Sequence, residues 1–399
     1  MRILQVTQAY HPFQARGGPA IKVRSIARAL TDLGDQVTVL TADLGFGPKE
    51  IAAAKVVSTL QGWRSDAEGP EVIYLPTCCH YRNLTINPGV LRFCKERLRE
   101  FDVAHVYGLY DLLGPVVGRY CRHLHVPYFL EPLGMTRPID RGFLLKGLWR
   151  RLAAAYLRHA NTWIATSELE KQDLMALGVP SEKILLRFNG IDREKFAHLP
   201  TSGSFRRHLG VADGERIILF LGRLIPRKGA DLLMEALPQI ENARLVIAGP
   251  EGERGYVASL HDKARNLGIS ERVLFPGPLY DDLQKQAYVD ATVFALPSRY
   301  ENFGNTAAEA IACGTPVIVS DRCGIAPLVD RRAGLVTAYD SHALASSLKE
   351  LLDNPPLYQR LKAGCAGVAD EIFWEGLVRV MQDSYQSTIG TFPQLASRP

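Results

Sequence analysis

Short apolar runs alternate with segments of helical period through most of the chain. In the first half the runs fall at 2–7, 36–41, 72–75, 102–107, 127–131, 162–166 and 184–188; in the second they fall at 216–222, 243–248, 272–276, 292–296 and 316–319. Runs this short, bounded by turn residues, predict strands buried on both faces. Their alternation with helices predicts α/β architecture with parallel sheets covered on both sides. The rhythm breaks at Asn189-Gly190-Ile191-Asp192, where an irregular polar stretch reaches about residue 204, and it resumes at Arg216. The C-terminal pattern is helical over 340–352, 355–368 and about 373–387. The last of these carries Phe373, Trp374, Leu377, Val380 and Met381, and from about Thr388 a loose tail is expected.

Length agrees with the interrupted rhythm. A chain of 399 residues exceeds the roughly 250–300 that one core sustains, so two doubly wound domains are expected. With 47% apolar and 22% charged residues, a disordered, collagenous or coiled-coil chain is excluded. Seven cysteines without CxxC spacing predict reduced thiols in a cytoplasmic protein and no zinc site. No run of about 18 apolar residues is present, and Met1–Thr7 is too short and polar for a signal peptide. A soluble protein is therefore expected. The net charge of +5 is unevenly spread. Residues 1–190 hold 24 Lys/Arg and 17 Asp/Glu, and the remainder holds 23 and 25. That excess points to an acidic partner for the first half, such as a membrane surface or a phosphorylated acceptor.

In open α/β sheets ligands bind beyond the carboxyl ends of the strands. After the run 292–296 the chain reads Pro297-Ser298-Arg299-Tyr300-Glu301-Asn302-Phe303-Gly304-Asn305-Thr306-Ala307-Ala308-Glu309-Ala310-Ile311-Ala312-Cys313-Gly314-Thr315-Pro316. A helix is expected from near Thr306, stopped by Gly314 and Pro316. The amides of Phe303 to Thr306 would converge at its N-terminus as an anion site, with Gly304 permitting close approach. Glu301 and Glu309 would flank that site, as carboxylates suited to vicinal hydroxyls. Thr306-x-x-Glu309 also fits a capping box, and Glu301 also fits a solvated loop acid. After 216–222 comes Gly222-Arg223-Leu224-Ile225-Pro226-Arg227-Lys228-Gly229. Arg223 and Lys228 can reach one anion across this turn, or stand as solvated cations, with Arg227 exposed. Gly17-Gly18 precedes a helix with Pro19 in its first turn. It can admit a phosphate or an acceptor, or form a plain turn. In 141–158, Arg141, Lys146, Arg150, Arg151 and Arg158 interleave with Leu, Trp and Tyr and no acid. This fits an anionic lipid surface or an ordinary helix with a solvated basic face.

The stretch P-S-R-Y-E-N-F-G-N-T-A-A-E-A-I-A-C-G-T-P-V-I, with its Glu-x7-Glu pattern, closely resembles the retaining glycosyltransferases of family 4, which have the GT-B fold. The G-R-x-x-x-x-K-G of residues 222–229 resembles the same family. The resemblance implies two Rossmann-like domains facing across a cleft: residues 1–195 for the acceptor, 205–370 for the nucleotide sugar, and a helix over 371–390 crossing back. It implies that Glu301 meets the donor sugar and Glu309 the ribose, and that the amides of Phe303, Gly304, Asn305 and Thr306 hold the diphosphate with Arg223 and Lys228. Gly249, Leu279, Gly17 and Gly18 would line the donor pocket. His105 stands in the family's His-x-His-Gly region, with Tyr107 in the second place. Many members have a His at the position of Leu133 that contacts the donor sugar. Glu131, two residues away, would be the substitute polar group.

The expected activity is retaining transfer of a hexose-type sugar from a UDP- or GDP-linked donor to a saccharide or lipid-linked acceptor, in bacterial-type polysaccharide or glycolipid synthesis. The expected course is same-face attack, with the departing phosphate taking the acceptor's proton. The donor is a co-substrate, and no cofactor, metal or nucleic-acid partner is expected. A cytoplasmic location is expected, peripheral on the inner face of the membrane. A GT-B epimerase or phosphorylase and a non-catalytic sugar-nucleotide sensor are the alternatives. A dinucleotide dehydrogenase is disfavoured because no Gly-x-Gly-x-x-Gly follows a strand.

Overall fold

The computed structural model of the chain describes residues 1–13, 18–59, 62–81, 84–136 and 153–392. The chain divides into two compact units, Met1–Arg187 with Trp374–Pro399, and Phe188–Phe373.

The first unit contains β1 (Arg2–Val6), β2 (Gln36–Ala42), β3 (Val57–Thr59), β4 (Gly62–Ser65), β5 (Glu71–Leu75), β6 (Cys79–Tyr81), β7 (Leu84–Ile86), β8 (Val103–Tyr107), β9 (Tyr128–Glu131), β10 (Thr162–Ala165) and β11 (Ile184–Leu186). Nine of these form one sheet in the order β11-β10-β9-β8-β1-β2-β5-β4-β3, and β6 pairs with β7 alone. The apolar runs form the parallel part of the sheet. The strands β3 and β4 join it antiparallel. They were not predicted, because they are short and largely polar and no apolar run marks them; the same is true of the β6–β7 hairpin. The strand order reverses between β1 and β8, which places a topological switch point at their carboxyl ends. The last helix, Trp374–Thr391, belongs to this unit. It buries Trp374, Leu377, Val378, Met381 and Tyr385 along one stripe and packs on the helix Gly18–Asp32. Its Gln382 amide donates to Asp35 at 2.8 Å. The helix continues through Thr391 where a tail from 388 was expected.

The second unit holds β12 (Arg216–Leu221), β13 (Ala243–Ala248), β14 (Val273–Gly277), β15 (Val293–Leu296), β16 (Val317–Ser320) and β17 (Gly334–Thr337). They form a six-stranded sheet in the order β14-β13-β12-β15-β16-β17, parallel throughout. Only β17 lacked a marked apolar run. The strand order reverses between β12 and β15. The helices Ser341–Leu352 and Pro355–Glu371 begin where Asp340 and Asn354 accept from their first-turn amides. The division at Arg187–Phe188 falls earlier than residue 195 because the polar stretch is anchored in the second unit. Phe188 packs against its core, and the Ile191 amide donates to the Ile372 carbonyl at 3.0 Å. Among the described residues no helix is long and apolar enough to cross a membrane.

Candidate active site

The loops after β12 and β15 leave the second sheet at its switch point. After β15, residues 301–303 run beside the loop that follows β16. The Glu301 amide donates to Arg322 O at 3.0 Å, Gly324 donates to Glu301 O at 2.9 Å, and Ile325 donates to Phe303 O at 2.7 Å. Gly304, at φ +110°, starts the helix Asn305–Ala312. A Cβ at Gly304 would lie 2.8 Å from the Cys323 sulfur and 3.2 Å from Ile325, so glycine is required there by both conformation and space. Ala307 and Ala308 both donate to the Gly304 carbonyl. The amides of Asn305 and Thr306 are therefore the first-turn donors with no acceptor inside the helix. Thr306 is within the helix rather than its cap, so Glu309 is not the acid of a capping box. The Asn189 amide orients Asn305 by donating to its Oδ1 at 2.7 Å.

The loop after β12 is tied to the loop after β13. Leu224 donates to Pro250 O at 2.9 Å, and Gly252 donates to Leu224 O at 3.1 Å. Gly249 lies so close to Gly222 that a Cβ would be 1.8 Å from its carbonyl oxygen. This glycine thus joins the two loops. Pro226–Lys228 makes a single 3-10 turn and delivers the Lys228 ammonium onto the Glu301 carboxylate, with side chains 15% and 19% exposed. Arg223 is exposed and makes no ion pair among the described residues. Arg227, expected to be exposed, is only half-exposed; its backbone carbonyl holds the Arg299 amide at 2.8 Å.

Glu309, 17% exposed, is approached from three sides: Lys195 Nζ at 3.2 Å, Gln284 Nε2 at 2.8 Å and Tyr288 Oη at 3.0 Å. Burial, and then the nearby Glu309 charge, push the Tyr288 phenol well above its ordinary value, so it remains a donor. Sequence reasoning missed Lys195, Gln284 and Tyr288. The i,i+4 spacing of Gln284 and Tyr288 on one helix was visible, but their partner was not. Leu279 is buried in the hydrophobic core.

In the first unit, His105 and Glu131 have no exposed side-chain surface. The Glu131 carboxylate is taken by Lys22 and Arg187, with His105 Nε2 at 3.5 Å. Burial opposes its ionisation, but Arg187 and Lys22 hold it down to about 2. The expected sugar-side group is thus placed in a sealed ion network. His105 Nδ1 lies 2.6 Å from Tyr385 Oη of the last helix. Leu133 follows β9 with φ +59°. Gly18 is the first residue of its helix. Gly17 and residues 141–152 of the basic segment lie outside the described residues, and 154–159 form the helix Ala154–His159.

Two family models match the chain: "Glycosyl transferase 4-like domain" over residues 17–190 and "Glycosyl transferases group 1" over residues 202–364. A D-inositol 3-phosphate glycosyltransferase of Xylanimonas cellulosilytica is 33% identical over 393 residues, 92% of this chain and 91% of that protein. The chain belongs to the family 4-like glycosyltransferases of group 1. An uncharacterised glycosyltransferase of Methanocaldococcus jannaschii is 29% identical over 85% of both chains. Among solved structures, the Anabaena protein HepE in complex with UDP and glucose has a TM-score of 0.75 at 21% identity, covering 97% of this chain and 100% of that one. The likeness identifies the fold as GT-B. In this glycosyltransferase the group 1 match spans β12 to β17, including both switch-point loops and Glu309. The 4-like match spans the sealed network of the first unit.

Proposed function

We propose that this glycosyltransferase moves a hexose, with retention, from a nucleotide-diphosphate sugar to a saccharide or lipid-linked acceptor. The observation that carries the reading is the partly open Lys228–Glu301 pair beside the N-terminus of the helix Asn305–Ala312, whose first two amides have no acceptor among the described residues. A lysine ammonium has three donors, so Lys228 can keep Glu301 and still reach a phosphate. The Asn305 and Thr306 amides, with the helix dipole, suit the same anion, and exposed Arg223 supplies a bidentate fork. Glu301 accepts from sugar hydroxyls. Glu309, aligned by Tyr288 and Gln284, keeps acceptor capacity for the ribose diol.

As the bond from the anomeric carbon to the phosphate oxygen breaks, charge grows on the leaving diphosphate, where the fixed cations and amides stabilise it. The acceptor oxygen bonds to that carbon on the same face, and its proton passes to the departing phosphate oxygen. HepE, solved with UDP-glucose, supports a UDP-linked hexose, and the basic excess of the first half supports work at an anionic membrane face. Thermal-shift screening of UDP-, GDP- and ADP-hexoses tests the donor, since only a true one should stabilise the fold strongly. Proton NMR of the new glycosidic bond tests retention, and an inverted product refutes it. Turnover unchanged by EDTA is expected if Arg223 and Lys228 carry the charge, and loss of turnover removes that assignment.

A further inference from the structure

We propose that the first unit carries a subsite for a neutral sugar ring of the acceptor, built from a polar cavity between the loop after β1 and the strands β4 and β5, and from an aromatic cluster that adjoins it through Tyr74. This rests on the glycosyltransferase reading and names the acceptor chemistry it left open. The cavity, about 120 Å³, is lined by Tyr10, His11, Lys55, Ser65, Glu68 and Tyr74, among others. Tyr10 is 1% exposed, yet among the described residues its hydroxyl has no hydrogen-bond partner, and neither has the buried Nδ1 of His11. Buried polar atoms are costly unless paired, so these two mark a place where a hydroxyl-bearing ligand or water completes the structure. Glu68 faces them as an acceptor. Burial works against its charge, but the Arg24 fork, with Nε at 2.7 Å, more than offsets this and holds its carboxyl below the ordinary range.

Tyr74 links the cavity to the aromatic cluster. Its hydroxyl donates to the His11 carbonyl at 2.6 Å, and its ring lies 4.8 Å from Phe46. Phe46 in turn stacks on Phe13 at 5.4 Å and meets Trp63 edge-on at 6.3 Å. Phe13, Phe46 and Trp63 are half-exposed and stand outside the hydrophobic core of the unit. A pyranose has an apolar C–H face and a rim of hydroxyls, and this arrangement matches both. The cavity holds about the volume of four waters, which is enough for one edge of a ring whose face rests on the aromatics. The choice of a sugar ring over a bare phosphate follows from the half-exposed Phe13, Phe46 and Trp63 beside the cavity, since a phosphate has no apolar face to lay on them; the Arg24 guanidinium is engaged by Glu68, and Lys55 is the cation on the cavity wall.

Saturation-transfer NMR on the full chain with UDP present tests the subsite. The probes are methyl α-glucoside, methyl α-mannoside and methyl α-galactoside, with inositol 3-phosphate as the charged comparator. At least one glycoside should show transfer, and Tyr10→Phe and Phe46→Ala should each weaken its binding at least fivefold. Three results overturn the subsite: no transfer to any glycoside, glycoside binding that both variants leave intact, or inositol 3-phosphate binding more tightly than every glycoside. If Phe46→Ala lowers the unfolding midpoint, Tyr10→Phe decides, because it removes a single unpaired oxygen. UDP thermal shifts in the same samples read the donor site separately. Their absence counts against the proposed function, whereas intact shifts with failed glycoside binding count against the subsite alone.

Discussion

Glu131 at the end of β9 meets Lys22 and Arg187 with no exposed surface on its side chain, whereas Glu301, after β15, meets Lys228 with about a fifth of its side chain open. Both groups stand near the switch point of a doubly wound sheet. In the first unit two cations and a buried histidine are spent on one carboxylate, because a charge removed from water must be matched by several partners. In the second unit solvent still shares the pair, so its hydrogen-bonding capacity can be redirected to a ligand. A charged residue at a strand end is therefore not by itself a binding group. Its burial decides whether it holds the fold together or waits for a substrate.

The sharpest break in this comparison comes from Arg187→Ala. Removing one partner leaves a buried charge poorly compensated, which costs about 3–5 kcal/mol. Urea unfolding followed by tryptophan fluorescence should show that loss, since Trp163 and Trp374 both lie in the first unit. Exchanging Lys22, Glu131 and Arg187 together for apolar residues of similar volume should cost far less. An unchanged midpoint in the single variant would show that the network does not hold the unit. Next in size is Lys228→Ala, which should lower turnover by about 10²–10³ while shifting stability by less than about 1 kcal/mol. Kinetics and urea unfolding on the same preparation check this, and a large stability loss with turnover retained reverses the assignment of the two pairs.

Much of this contrast was hidden in the chain. The parallel strands other than β17 were legible because each is an apolar run, and the loops after β12 and β15 were legible because glycine, proline and charge interrupt those runs. The helix Asn305–Ala312 began one residue before its expected start, with Gly304 as its cap. Burial of polar residues was not legible. His105 and Glu131 carry no local mark distinguishing a sealed group from an open one. Lys22 and Arg187 reach Glu131 from distant parts of the chain, and Tyr385 reaches His105 from the last helix. Such pairings are products of the completed sheet. The same reason hid Lys195, Gln284 and Tyr288 around Glu309.

A smaller effect follows from pH. Burial, with Arg187 and Lys22 nearby, lowers His105 to about 3 although Glu131 pulls the other way. The native ring therefore stays neutral while the unfolded ring takes a proton near its ordinary value of 6.5. The unfolded state binds more protons as pH falls below that value, so stability is lost in that direction. Between about pH 7 and about pH 5 the loss from this group is about 2 kcal/mol. Unfolding midpoints across this range should fall for the native chain and flatten for His105→Asn. A slope that persists in the variant assigns the effect to other groups, and the contrast between sealed and open charges then loses its histidine.

The finest test is Tyr385→Phe. Burial raises the Tyr385 phenol well above its ordinary value, so its hydroxyl keeps its proton; with the Glu131 carboxylate facing Nε2, the favoured tautomer leaves Nδ1, 2.6 Å from that hydroxyl, to accept from it. That bond reinforces the neutral tautomer in which Nε2–H faces Glu131 Oε2. Phenylalanine keeps the ring contacts of Tyr385 with Phe129, whose centroids are 4.7 Å apart, and removes only the donor. The expected loss is about 1 kcal/mol, read as a small drop in the unfolding midpoint. The His105 Nδ1 resonance should also change in ¹⁵N NMR, because that nitrogen loses its donor. Donor binding, read as a UDP thermal shift, should be unaffected, because the hydroxyl that is removed is bonded to His105 of the sealed network. If UDP binding falls with this substitution, the first unit's charges are tied to ligand chemistry after all, and the division between sealed and open pairs must be redrawn.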